Sequence, residues 1–134
     1  MRIVQPSTLP EPRGWSNGIL APAGGRLLFV AGQAGWDASS REAPPGFADQ
    51  FDHALEKSLA VVREAGGEPG DVARLTIYVI DLPSYRAARR ELGAIWKSRF
   101  GNYYPAMALV EVKGLADAGA LVEIEATAVI GGSR

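Results

Sequence analysis

The segment from residue 121 to residue 130 alternates between two sets of side chains, which is the pattern of a β-strand with two different faces. One set is entirely apolar: Val122, Ile124, Ala126, Ala128 and Ile130. The other set mixes two carboxylates with uncharged residues: Leu121, Glu123, Glu125, Thr127 and Val129. The first set predicts packing against helices, whereas the second predicts a face that no helix of this chain covers.

Further strands are predicted from apolar runs that glycine and proline separate. Residues 18–22 and 26–31 flank a glycine-rich turn and predict a β-hairpin. The second of these runs is apolar on both faces, which predicts a central strand buried on each side. Two more strands are predicted over 72–80, where apolar and polar residues alternate, and over 106–112.

Two segments carry the spacing of amphipathic helices. Apolar residues recur every three or four positions from about Phe47 to Ala65, and a second helix is predicted from the N-cap residue Asp81 to about Phe100. Two helices are too few to cover both faces of a mixed five- or six-stranded sheet. The sequence therefore predicts an α+β fold with both helices on one face, in a single domain spanning residues 1–134.

The face without helices predicts an oligomer. It carries Tyr78 and Ile80 from one strand, and Leu121 with the two glutamates from another. Such a face is too apolar for water and too polar for the core of a monomer. Burial of this face between subunits resolves the conflict.

Composition excludes several classes of function. The chain has no cysteine, which excludes disulfides, thiolate metal sites and a cysteine nucleophile. The 14 basic and 15 acidic residues give a net charge of −1, which disfavours binding of nucleic acid through phosphate neutralisation. No apolar run reaches the roughly 18 residues of a membrane span, and no signal peptide stands out. A cytoplasmic protein is therefore expected.

Glu123 and Glu125 form the strongest chemical signal in the sequence. They share one strand face about 7 Å apart, and burial between subunits would enable at least one carboxylate to transfer a proton. An ion pair with a neighbouring strand or subunit is an equal alternative. Gly32 follows a strand, where it either turns the chain or lets a ligand carboxylate reach a backbone N–H. His53 is the only histidine and is expected at the surface or core edge, so no metal site is predicted.

Five short motifs occur in a specific order and spacing: Val30-Ala-Gly-Gln33, Gly70-Asp71-Val72, Asp81-Leu82, Tyr104-Pro105-Ala106 and Val122-Glu-Ile-Glu-Ala126. Over about residues 13–130 this order resembles the Rid family (reactive intermediate deaminase), also called the YjgF or L-PSP endoribonuclease-like family. The resemblance implies a chorismate mutase-like fold and a homotrimer with a small-molecule cleft between neighbouring subunits. It also implies hydrolysis of enamines and imines, such as 2-aminoacrylate, to 2-keto acids and ammonia without cofactor or metal.

Some residues of the family's cleft have counterparts here. The glutamate of the last strand, which positions or activates water, corresponds to Glu123. The glycine whose backbone contacts the ligand corresponds to Gly32, and the preceding residue, commonly serine, is Ala31. The resemblance therefore implies that Glu123 is the catalytic acid/base and that Ala31 and Gly32 bind ligand.

Other cleft residues differ from the family pattern. Trp15 stands where the family has a cleft tyrosine, and Leu109 stands where a cysteine is often found. The arginine that grips the substrate carboxylate is replaced by Met107, which cannot pair with an anion. These changes predict a more apolar cleft with Trp15, Met107 and Leu109 as its walls. Arg13 is a candidate replacement cation, a hypothesis that fails if Arg13 lies outside the cleft.

Three functions stay open at this level. The first is a divergent Rid-type hydrolase of an enamine or imine that uses Glu123 and does not depend on an arginine clamp. The second is a trimer that binds a small molecule without turnover. The third is an endoribonuclease, which the charge balance and the lack of a histidine pair disfavour.

Overall fold

The computed structural model describes residues 1–132. Its strands are β1 (Arg2–Val4), β2 (Gly18–Leu20), β3 (Arg26–Ala34), β4 (Val72–Val79), β5 (Ala106–Glu111) and β6 (Val122–Ile130). Its helices are α1 (Phe47–Glu64), α2 (Leu82–Ala87) and α3 (Arg89–Phe100), and a single 3₁₀ turn, Pro69–Asp71, leads into β4. The predicted α+β architecture is confirmed.

The main sheet has four strands in the order β3-β6-β4-β5. Its β4–β5 pair is parallel, and its other pairs are antiparallel. The predicted sheet of five or six strands and the predicted hairpin are wrong, because β2 pairs with β1 in a separate two-stranded sheet. Strand β1 has only three residues, too few to show a period, so the sequence pattern offered no partner for β2 other than β3.

Strand β3 lies at the edge of the main sheet, so the prediction of a central strand is also wrong. Val30 is buried on the helix side, but Leu27 and Phe29 on the other side are 64% and 74% exposed. Apolar residues on both faces of a strand indicate burial at a sheet centre only if the same chain supplies both covering layers. Here the chain supplies one layer.

The first predicted helix is confirmed to within a residue, whereas the second is divided in two. Asp81 is the N-cap, as predicted, and its carboxylate accepts a hydrogen bond from the Ser84 N–H at 3.1 Å. Ala88 interrupts the helix with φ −93° and ψ 3°. Its N–H donates to the carbonyls of both Ser84 and Tyr85. This is a local 3₁₀-type tightening of the helix, which the spacing of apolar residues does not predict.

The core lies between the helices and one face of β4 and β6. Leu55, Leu59 and Val62 of α1 are at most 1% exposed, and they belong to one apolar cluster with Leu75 and Ile124 of the sheet. All five apolar residues of β6 that were predicted to pack on helices are buried. The other face of β6 is half-exposed at Glu123, Glu125 and Thr127, which confirms that the helices of this chain leave it uncovered there, whereas Val129 at its end is buried.

Candidate functional site

The uncovered sheet face holds Glu123 beside a β-bulge in β3. Ala31 and Gly32 together stand opposite Glu125 alone, so β3 carries one extra residue there. A Cβ on Gly32 would lie 2.8 Å from Cδ of Glu123. The absence of a side chain at Gly32 therefore allows the Glu123 carboxylate of the same chain to approach the backbone closely, in addition to allowing the strand to bend.

The two glutamates of β6 differ in their partners. The Tyr78 hydroxyl donates a hydrogen bond to Oε1 of Glu125 at 2.7 Å. This bond to a carboxylate, together with partial desolvation, raises the pKa of Tyr78 above its usual value. Within residues 1–132, the side-chain carboxylate of Glu123 takes part in no hydrogen bond or ion pair. Of the pair, Glu123 is thus the carboxylate with free oxygen atoms.

A cavity of about 330 Å³ lies on the other side of the sheet, between β5, α3 and the segment before β2. Three of the predicted cleft residues line it: Trp15, Met107 and Leu109. The segment is held beside β5 by Ser16, whose N–H donates to the carbonyl of Pro105 at 3.0 Å. The Ser16 hydroxyl also donates to the carbonyl of Tyr104 at 2.5 Å. These bonds fix Trp15 at the cavity.

A stack of three aromatic rings lies beside this cavity, and two of the rings, Trp96 and Tyr104, line it. Trp96 lies parallel to Phe100, with ring centroids 4.2 Å apart, and parallel to Tyr104 at 5.6 Å. The indole N–H of Trp96 donates to the carbonyl of Tyr103 at 3.0 Å, which fixes the ring in its plane. The wall is therefore flat, aromatic and preorganised.

Two arginines, Arg13 and Arg89, also line the cavity, whereas none of its lining residues is acidic. Both arginines are exposed, and neither guanidinium group forms an ion pair or hydrogen bond with any residue of the described range 1–132. Arg13 thus lines the same cavity as Trp15, Met107 and Leu109. Arg89 lies within the second predicted helix, where a basic residue is normally part of a solvated face. Its position three and seven residues before Leu92 and Trp96 is the signal that could have placed it on their face.

The predicted site residues divide between the two faces of the sheet. Met107 and Leu109 pair with the buried residues Leu75 and Ile77 on the helix side. Glu123 pairs with Tyr78 on the uncovered side, where Gly32 also lies. One chain therefore places Glu123, Ala31 and Gly32 in one group, and Trp15, Met107 and Leu109 in another.

Clusters of potential metal ligands and membrane-spanning helices are both absent from the described residues. No cluster of three or more His, Cys, Asp or Glu side chains suited to a metal ion occurs within residues 1–132. His53 is half-buried, with Nδ1 3.7 Å from a carboxylate oxygen of Asp37. Over the same range, none of the helices has the length and hydropathy needed to cross a bilayer.

Comparisons with known proteins identify the family. The family described as Endoribonuclease L-PSP matches residues 10–130. A RutC family protein of Pyrococcus horikoshii is 34% identical over 121 residues, which are 89% of this chain and 90% of that protein. The 2-iminobutanoate/2-iminopropanoate deaminase of Rattus norvegicus is 30% identical over 132 residues, which are 97% of this chain and 90% of that protein.

A solved structure gives the same result for the fold. The crystal structure of YyfB from Yersinia pestis, described as a protein of unknown function of the conserved Rid family, matches with a TM-score of 0.82 and 32% identity. The match covers 96% of this chain and 98% of that one. The chain therefore belongs to the Rid family, also described as the YjgF or L-PSP endoribonuclease family.

Proposed function

We propose that this protein is a cofactor-independent hydrolase of imines or enamines, with Glu123 as its acid/base. The observation that carries this proposal is the free carboxylate of Glu123, which lies against the backbone at Gly32 on the uncovered sheet face. Family membership supports it, and so does the likeness to the rat protein named 2-iminobutanoate/2-iminopropanoate deaminase.

The proposed cleft combines both groups of site residues, which requires two copies of the chain. Glu123 and Gly32 of one copy would face Trp15, Met107 and Leu109 of the next. The exposed apolar side chains on the Glu123 face, Leu27 and Phe29, supply surface for such an interface. Three copies related by a rotation axis would close into the homotrimer that the sequence resemblance implies.

The proposed chemistry needs one group that moves a proton. An enamine first tautomerises to the imine, and water then adds to the imine carbon while the Glu123 carboxylate accepts a proton from that water. The same group returns that proton to nitrogen, which gives the carbinolamine. A second transfer through Glu123, from the carbinolamine hydroxyl to the amino nitrogen, accompanies cleavage of the C–N bond, and ammonia and the carbonyl product leave. A positioned acid/base of this kind accelerates such steps by roughly 10²- to 10⁴-fold.

Met107 sets the expected preference among substrates. An arginine binds a carboxylate through two parallel charge-assisted hydrogen bonds, and a thioether offers neither charge nor donors. Loss of such a pair costs about 2–5 kcal/mol. The protein is therefore proposed to differ from an arginine-dependent 2-aminoacrylate deaminase in its substrate.

The test measures imine hydrolysis directly. A dehydratase generates 2-aminoacrylate or 2-iminobutyrate, semicarbazide competes for the imine, and keto-acid release is recorded. Glu123→Gln is expected to lose about 10²- to 10⁴-fold in rate. The matched control, Glu125→Gln on the same strand face, retains an oxygen that accepts the Tyr78 hydrogen bond and keeps its activity. Equal rates for wild type and Glu123→Gln would contradict the proposed role of Glu123.

Assembly is tested on the uncovered face. Phe29→Asp places a charge on a side chain that is 74% exposed in the single chain, so folding is expected to survive. Sedimentation should show trimers for wild type and smaller species for the variant. Unchanged trimers in Phe29→Asp would place the interface elsewhere.

A second candidate function is binding of a small molecule without turnover. The apolar and aromatic lining of the cavity around Met107 favours it. In that case wild type releases no keto acid, and Glu123→Gln binds ligand as wild type does. An endoribonuclease remains the least supported function at a net charge of −1, and a steep salt dependence of RNA binding would be needed to support it.

A further inference from the structure

We propose that Arg13 and Arg89 form an anion clamp at the cavity beside Met107, and that this cavity takes a carboxylate with a ring-sized apolar body. The inference deepens the proposed function, because it names the substrate class of the cleft. It concerns binding, however, and is tested without turnover.

The charges of the cavity point to an anion. Arg13 reaches it from the segment before β2, and Arg89 reaches it from the first residue of α3. Neither guanidinium has an acidic partner among residues 1–132, and the lining contains no acidic residue to neutralise them. Two unpaired guanidinium groups at one cavity attract an anion, and their planar donors suit the two oxygens of a carboxylate.

The arginines occupy a different place from the family's carboxylate-binding position. That position is Met107 on β5 here, so the cation that a carboxylate needs has to come from other elements. The neighbouring Arg86 and Arg90 do not line the cavity. Arg89 therefore differs from the other arginines of the helix pair in facing a ligand-sized space.

The lining also constrains the rest of the ligand. Ile77, Leu92, Met107 and Leu109 give apolar contact, and the Trp96–Tyr104 stack gives a flat wall. A volume of about 330 Å³ is within the range of small-molecule pockets. A ring fills it better than the methyl or ethyl group of the smallest imino acids. Aromatic rings also gain from stacking on the wall and from contact with the methionine sulfur.

The experiment measures binding of phenylpyruvate, a carboxylate with an aromatic ring, to the whole chain by isothermal titration calorimetry. Arg13→Gln and Arg89→Gln are each expected to weaken binding by about tenfold to a hundredfold, since each removes a charge-assisted interaction. Arg90→Gln is the matched control, since it removes the same charge from the adjacent exposed position and should bind as wild type. Phenylpyruvate binding that is unchanged in both Arg13→Gln and Arg89→Gln would overturn the clamp.

Two further titrations keep the result interpretable. The methyl ester of phenylpyruvate lacks the negative charge and is expected to bind wild type and both arginine variants equally, which also verifies that the variants retain the cavity. In wild type, added salt should weaken binding of the acid but not of the ester. Equal, salt-independent affinity of wild type for acid and ester would reject the clamp whatever the variants do.

Failure of the clamp and failure of the proposed function give different results. Glu123→Gln should bind phenylpyruvate within a few-fold of wild type. If imine hydrolysis depends on Glu123 but the arginine variants bind normally, the clamp is wrong and the hydrolase stands. If the arginine variants lose binding but wild type hydrolyses no imine, the clamp stands and the hydrolase is wrong.

Discussion

Replacing Gly32 by alanine adds one methyl group beside the Glu123 carboxylate. The added Cβ would lie 2.8 Å from Cδ and 3.1 Å from Cγ of Glu123, whereas ordinary contact between such atoms begins near 3.5 Å. The carboxylate must therefore move by roughly 0.5–1 Å, and a displacement of that size at a reacting group costs about 10²-fold in rate. We expect kcat for imine hydrolysis to fall by about 10- to 100-fold.

Stability should change little in the same variant. The neighbour that gives way is a half-exposed, flexible side chain rather than backbone, and Gly32 does not have a positive φ that alanine would resist. We expect the thermal midpoint to stay within a few degrees of wild type. Gly46→Ala, whose added Cβ meets nothing within 4 Å, serves as the control for a methyl group alone. A Gly32→Ala variant with the kcat of wild type would refute the argument that this contact positions Glu123.

Three further predictions concern stability. Gln50→Leu should lower the free energy of unfolding by about 2–4 kcal/mol in urea titrations, because this buried amide donates to two loop carbonyls at 2.7 and 2.9 Å and accepts from a backbone N–H. Arg99→Met should cost about 1 kcal/mol and should make stability less sensitive to salt, because Arg99 joins α3 to two partly exposed carboxylates of α1. Burial raises the pKa of Tyr103 to about 12, so the folded state keeps its proton longer than the unfolded state. The stability of wild type should therefore fall as pH rises from about 10 to 12, and more steeply than that of Tyr103→Phe in urea titrations across this range.

Local pattern was sufficient for most elements of the fold. Asp81 was predicted as an N-cap because a carboxylate before a helix satisfies backbone N–H groups, and that mechanism acts whatever the tertiary context. The alternation along β6 likewise predicted which residues the helices cover, since the period of a strand is fixed by its backbone. These features depend on residues close together in sequence.

The errors in the fold concern contacts with residues far away in the sequence or with another molecule. Leu27 and Phe29 were interpreted as the buried side of a central strand, yet they are exposed at a sheet edge. Hydrophobicity alone does not distinguish a side chain covered by its own chain from one that another molecule can cover. The partner of β2 was missed for a related reason, because pairing with β1 depends on three residues without a readable period.

Three residues that line the candidate cavity were named from the sequence, whereas Arg89 was missed for a physical reason. The resemblance placed Trp15, Met107 and Leu109 together, and all three line one cavity. Arg89 was missed because charged residues on a helix are normally solvated, so a basic stripe gives no signal of its own. Only the apolar residues three and seven positions later, Leu92 and Trp96, reveal that Arg89 begins a face turned towards a cavity.

The proposed catalytic group and the proposed recognition groups lie on opposite faces of the sheet of one chain. Glu123 is positioned by the bulge in β3, whereas Arg89 and the aromatic wall are positioned by α3 and β5. Within one chain, a substitution on one face therefore has no direct contact through which to displace the groups on the other. Met107→Arg would add a third cation to the wall of the proposed inter-subunit cleft, which Glu123 of the next copy faces. If the proposals for Glu123 and the clamp are both correct, that change should broaden the substrate range towards small imino acids while the reaction itself stays the same.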